Sequence, residues 1–329
     1  MLLLAGVALA TLVVALLMGT QPAQAAGVVG TGTPGSCDAN ALRNAAAGGG
    51  AVTFNCGPAP HTILVDTILV TNTMTMDGGG LITLDGEDLR QPFLVQSGGN
   101  LTLRNTIVTR GRAPLGGALY VSLNGEALLE RVTLQRSTAE SAGQGGAIYN
   151  LGEVTLRDSQ VISNVASFAG GGVYNSNGIL LVERSSFHNN GAYDSTTAAI
   201  SKGGAIYSTN GTVTLRRTSV TSNAAELEGA GIYIATGIVV LDRVVLADNS
   251  ANSAVPTRGG GLVTNAGSVG IRNSTIVYNR ADTGGGIFNV GAVVVLENTI
   301  VADNAVPLSN DPTTVLDCDG PTLSTQGYN

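Results

Sequence analysis

The densest run of chemically capable residues in this 329-residue chain is Asp85-Gly86-Glu87-Asp88, closed two places later by Arg90. Such carboxylates serve two kinds of chemistry. Clustered, they hold calcium beside an arginine or lysine base; paired about 5–10 Å apart, they hydrolyse glycosidic bonds. An Asp-Gly step also makes an ordinary solvated turn, and that reading is preferred here. Asp303, Asp311, Asp317 and Asp319 form a looser group near the C-terminus and are read the same way. His61 and His188 are the only histidines, and neither stands in a recognisable motif. No Ser-His-Asp or Cys-His arrangement follows from spacing, so no catalytic residue, metal ligand or cofactor is assigned.

Whatever these groups do, a repeat must position them. A glycine-rich unit recurs as Gly116-Gly-Ala-Leu-Tyr120, Gly145-Gly-Ala-Ile-Tyr149, Gly170-Gly-Gly-Val-Tyr174, Gly203-Gly-Ala-Ile-Tyr207, Gly229-Ala-Gly-Ile-Tyr233, Gly259-Gly-Gly-Leu-Val263 and Gly284-Gly-Gly-Ile-Phe288. Its copies lie roughly 25–33 residues apart, a period that signals a solenoid, propeller or array. A second half of the unit carries alternating apolar residues, as in Glu153-Val-Thr-Leu-Arg157, and ends on Gly111, Ser137, Asn164, Asn190, Asn223, Asn249, Asn279 or Asn304. Apolar alternation between Gly, Asn and Asp breakers is a strand signal, and no helix-period segment interrupts it.

About three short strands per repeat cannot bury their apolar face alone. Wound parallel onto identical neighbours at about 4.8 Å spacing, they enclose a common core. The expected fold is all-β, a right-handed parallel β-helix of about ten coils and on the order of 45–50 Å length. The Asn column then reads as a ladder of stacked side-chain amides running from Asn164 through Asn190, Asn223, Asn249 and Asn279 to Asn304. The Gly-Gly pairs read as corners needing positive φ or close backbone approach, because no following helix supports a phosphate loop. The tyrosine column should stack, facing in or out according to register.

Leu2 to Met18 are almost all apolar and lead into Gln21-Pro-Ala-Gln-Ala-Ala26, which reads as a secretory signal over residues 1–26, with an uncleaved anchor as the alternative. Residues 27–50 form an N-terminal cap. Within it Asp38 heads an alanine-rich segment that predicts a short helix, placed to cover the open end of the stack. In an exported chain a disulfide between Cys37 and Cys56, closing that segment, is the leading reading. Cys318 lies near the opposite end and is left unpaired. The β-helix spans 51–305, and 306–329 is a tail where the chain stops abruptly. Asn190 to Lys202 and Ala251 to Arg258 lengthen two coils, and such insertions mark loops on one face, often the binding face.

With Lys and Arg at 16, Asp and Glu at 23 and a net charge of −7, the chain lacks the basic footprint of a nucleic-acid binder. Lys202 is the only lysine, so no basic cluster for anionic lipid is present, and membrane contact is expected only through an uncleaved N-terminal segment. The chain is expected to be a monomer.

At the Gly-Gly-Ala-Ile motifs and Phe187-His-Asn-Asn190 the chain resembles the polymorphic outer membrane protein repeat. Its start, Cys37, Ala41-Leu-Arg43, Gly50-Ala-Val-Thr-Phe54 and Met76-Asp-Gly-Gly-Gly80, is similar to the module preceding such repeats in bacterial surface proteins. Its end, Ile300-Val-Ala-Asp-Asn304, Asp317-Cys-Asp-Gly320 and Gly327-Tyr-Asn329, resembles the closing segment of choice-of-anchor proteins. The resemblance implies an exported, pectin-lyase-like β-helix, many relatives of which are taken to be adhesins or surface proteins. A secreted or cell-surface scaffold that binds carbohydrate or protein without catalysis is the expectation. A polysaccharide lyase or glycoside hydrolase on the same fold, and a purely structural spacer, are the alternatives.

Overall fold

A computed structural model describes residues 27–193, 201–305, 317–321 and 323–326. The sequence signals of the cap translate directly. Asp38 accepts a hydrogen bond from the Ala41 amide at 2.8 Å and so heads a helix, α1 (Ala39–Ala46). Its apolar side places Leu42 and Ala46 in the core. Cys37 and Cys56 are bridged, with Cα atoms 5.6 Å apart, which ties the entry to the helix onto the strand Gly50–Phe54. That strand pairs with Gly27–Val29 on one side and Thr73–Asp85 on the other, so sheet pairing reaches into the segment read as cap.

From there the chain winds into a right-handed parallel β-solenoid of about 11 turns, with 4% helix. One coil shows the rule. Ile148–Asn150 lies in a second sheet, Glu153–Arg157 and Gln160–Ile162 form two limbs of the first, and Val165–Ala166 lies in a short third. Four strand segments therefore replace the three expected, because Asp158, at φ 51°, bends the first sheet's strand into two limbs. Burial follows the period of two: Val154 and Leu156 point inward with Val161 and Ile148, while Thr155 stays half-exposed.

Register is strictly like onto like. Ile148 pairs with Val173, which pairs with Ile206, then Ile232, Leu262 and Ile287, all buried. The inward positions of the third sheet hold small residues, and Ala192, Ala225 and Ala251 pack with Ala230 and Ala281 as a separate cluster. The first glycine of each pair is left-handed, as at Gly145 with φ 70°, where a β-carbon would lie 2.1 Å from the Ile148 carbonyl oxygen. The second is a close approach: a β-carbon on Gly146 would lie 2.1 Å from the Gly171 carbonyl oxygen.

The asparagine column is wholly buried. Each side-chain oxygen accepts from both the backbone amide and the side-chain amide of the preceding coil, as Asn249 does from Asn223 at 3.0 and 2.9 Å. The same pattern joins Asn164 to Asn190, Asn190 to Asn223, Asn249 to Asn279 and Asn279 to Asn304. The freed amide hydrogens go to carbonyls of a preceding coil, such as Val220 from Asn249 at 2.9 Å. The column starts earlier than expected, because the Ser137 amide donates to Asn164 and the Ser137 hydroxyl accepts from the Gly111 amide. It ends on a carboxylate: Asp317 accepts from both Asn304 nitrogens at 2.9 Å.

A charged column runs beside these. At the last residue of each first-sheet limb, Asp77, Arg104, Glu130, Arg157, Glu183, Arg216, Asp242, Arg272 and Glu297 face one another in register, and their signs alternate without exception. Opposite charges on facing residues stabilise a sheet and like charges oppose it, so alternation is the one pattern a charged column tolerates. Glu130 shows the contact, 2.6 Å from Arg104 and 3.9 Å from Arg157.

Two stability measurements follow. Asn223→Leu strands the Asn190 amide and should cost about 1–3 kcal/mol in urea unfolding; unchanged stability would place the column in solvent. Glu130→Arg puts three like charges in successive coils and should cost about 1 kcal/mol, partly recovered by added salt.

Candidate functional site

The acidic run that stood out in the sequence is committed to structure. Asp85 is buried, accepts from Arg110 Nε at 2.9 and 3.1 Å and also from its terminal nitrogen, and takes the Glu87 amide at 2.9 Å. That hydrogen bond and the Asp85 charge raise the Arg110 pKa above its ordinary value. Glu87 and Asp88 both occupy left-handed backbone, and Arg90 bridges Glu87 at 3.4 Å and Asp66 at 2.9 Å. The run is a cross-coil clamp whose innermost carboxylate is already neutralised by a guanidinium.

The remaining candidates do not converge either. His61 Nε2 lies 2.8 Å from the Cys37 carbonyl oxygen and braces the cap, while His188 is exposed, with Nδ1 3.2 Å from the Thr221 hydroxyl. Asp317 terminates the amide column, Asp319 accepts from the Gly320 amide, and Asp303 is a left-handed corner. Asp311 lies outside the described residues. Cys318 is free, on a strand that pairs with Ile287 and Phe288. Among the described residues no three His, Cys, Asp or Glu side chains gather as a metal site, and no helix is long and apolar enough to cross a membrane. Residues 1–26, read as the signal, lie outside the described part.

What does converge is one long face. Both lengthened coils depart from the third sheet, after Gly191–Ala192 and after Ser250–Ala251, and these strands stack through a common neighbour. Residues 194–200 of the first insertion are outside the described part. The insertions return at Lys202 and Arg258, which bridge Glu228 of the coil between them. Lys202 Nζ is 2.8 Å from Glu228 and 3.3 Å from the Tyr233 hydroxyl, and it sits 4.8 Å above the Tyr233 ring. Arg258 is 3.5 Å from Glu228 and 5.1 Å from the Phe288 ring centre. Burial lowers the Lys202 pKa, but the Glu228 hydrogen bond and Tyr233 outweigh it, and the net direction is upward. Lys202 is thus held as a cation and is poorly suited to act as a base.

The tyrosines border this cluster. Ile148 and Asn150 are buried inward, so Tyr149 between them points away from the core, and its neighbours follow by register. Tyr120, Tyr149, Tyr174, Tyr207 and Tyr233 stack with ring centres 5.4, 5.2, 4.8 and 5.1 Å apart and planes within 10° of parallel. The column therefore faces outward, but its ring faces cover one another. Tyr174 and Tyr233 are themselves buried and the other three are half-buried, so the column offers no flat platform for a sugar ring.

Two further columns escaped the sequence reading although their residues stood in the repeat. Asn150, Asn175, Ser208, Thr264 and Asn289 line the buried turn after the tyrosines, with Asn150 donating to Asn175 at 2.7 Å and Thr264 to Asn289 at 3.0 Å; Ile234 interrupts them. Ser159, Ser185, Thr218, Ser274 and Thr299 form a hydroxyl column at the bend of the first sheet, as in the Ser159 amide donating to Ser185 at 3.0 Å.

Fold and face together define a parallel β-solenoid with one decorated side. No protein-family description, curated protein or solved structure matches the chain.

The tyrosine stack makes a pH prediction. Burial, then the neighbouring phenols, raises the pKa of Tyr174, and burial leads the same shift at Tyr149 and Tyr207. An unfolded tyrosine ionises near pH 10, so the unfolded chain loses these protons first. The stabilisation is intact below about pH 10 and is lost as pH rises through the folded values. Tyrosinate absorbance should show a late class that appears together with unfolding; a single step near pH 10 with the fold intact would contradict the stack.

Proposed function

We propose that the chain is an exported or cell-surface β-helical scaffold, adhesin-like, that holds carbohydrate or protein on its loop-bearing face and does not transform it. The observation that carries this reading is the convergence of two lengthened coils with Lys202, Glu228 and Arg258 on one side of the stack. A repeat serves packing, and departures from it that gather in one place are where a grafted site belongs. The resemblance to surface-protein repeats supports the same reading, as does the use of the acidic residues in structural contacts.

The full chain should retain one or more members of a polysaccharide and surface-protein panel, with and without calcium, and yield no products. Lys202→Ala with Arg258→Ala should weaken that retention about tenfold or more, as expected for the loss of two charge-assisted contacts. Release of reducing or unsaturated sugar ends, abolished by Asp85→Asn, would instead make the protein an enzyme. Neither retention nor release would leave a spacer.

A further inference from the structure

The corner residues that follow the alternating charged column carry a second message. In register they are Asn105, Arg131, Asp158, Arg184, Arg217, Arg243, Asn273 and Asn298, and every one of them is left-handed, with φ between 47° and 57°. Asn and Asp tolerate this conformation best, because their short polar side chains bond locally, and four of the eight coils use them. Arginine has no such advantage. The first four also keep opposite or neutral neighbours, yet Arg184, Arg217 and Arg243 then follow one another in successive coils, about 4.8 Å apart. Like charges facing each other across strands are destabilising, and the adjacent column avoids them throughout.

These arginines are not equally engaged. Arg184 is closed by Asp158, with hydrogen bonds of 2.8 and 2.9 Å, and by Glu183 at 2.6 Å. Arg217 reaches Glu183 only at 3.7 Å and Arg243 reaches Asp242 only at 4.0 Å, and the side chain of each is 53% exposed. Both line an open groove of about 540 Å³ that crosses the coils, together with the outward-facing Ser186 and Ser219. Arg216, next to Arg217 in the chain and part of the alternating column, adds a further positive charge. The result is a strip with a positive surplus on a chain whose net charge is −7.

We infer that this groove binds an acidic polysaccharide, with carboxylates of a linear polyuronate laid along the solenoid axis against Arg217 and Arg243 and sugar hydroxyls against Ser186 and Ser219. A guanidinium presents paired donors that match a carboxylate, and the groove crosses successive coils as a chain ligand requires. The interleaved Asp158, Glu183 and Asp242 disfavour a nucleic acid, whose charge is far denser: duplex DNA carries about one charge per 1.7 Å. A polyuronate spreads one charge over each sugar and leaves hydroxyls between. This site is separate from the loop-bearing face and does not depend on it.

Alginate, neutral dextran and a single-stranded DNA oligomer are the probes, titrated against the full chain and against Arg217→Ser with Arg243→Ser, with circular dichroism confirming that the exposed substitutions leave the fold intact. Alginate should bind at low salt, weaken as salt rises, and lose about tenfold or more in the double variant, while dextran should not bind. Lys202→Ala with Arg258→Ala removes the loop-face contacts alone, so alginate affinity that survives in it and falls in the Arg217 and Arg243 variant belongs to the groove, and failure of the loop face and failure of the groove are read separately. Absence of alginate binding, equal binding by the Arg217 and Arg243 variant, or tighter binding of DNA than of alginate would each overturn the inference.

Discussion

Parallel stacking of coils about 4.8 Å apart is the constraint on which everything else in this protein depends. Each residue has a counterpart directly above and below, so every column must be compatible with itself. Aliphatic residues satisfy this by packing, as from Ile148 to Ile287. Amides satisfy it because one group is both donor and acceptor, and aromatic rings because their faces stack. Charges cannot, which is why the column from Asp77 to Glu297 alternates in sign.

The same constraint accounts for the polar interior. Among the described residues no buried side-chain nitrogen or oxygen is without a hydrogen-bond partner. Three polar columns achieve this, of asparagine, of mixed amide and hydroxyl, and of serine and threonine, each set at a turn where backbone groups would otherwise go unpaired. The carboxylate of Asp317 closes the longest of them, since an acceptor alone suffices at its last step.

Where the self-compatibility rule is suspended, a demand other than packing is at work. Lys202, Glu228 and Arg258 still obey it, as cation, anion and cation, but they do so at the feet of the two lengthened coils. The successive arginines at 184, 217 and 243 do not obey it. The acidic run at Asp85, which chemistry alone had placed first, turns out to be ordinary structure by the same standard, because Arg110 answers it from the neighbouring coil.

The sequence by itself determined the coil. Apolar alternation fixed which residues line the core, glycine pairs marked left-handed corners, the periodic asparagines announced a buried amide column, and Asp38 before an alanine run specified the capping helix. These depend on residues close together in the chain or on one residue type recurring at every coil. Only the tertiary structure decided what unlike residues some 25–33 positions apart do to one another. The alternating charges were present in plain view at Arg104, Glu130 and Arg157 but meant nothing until winding brought them into register. The facing of the tyrosines was undecidable for a related reason: a strand's period of two makes both faces equivalent until the core claims Ile148 and Asn150, and Tyr149 is left to point outward.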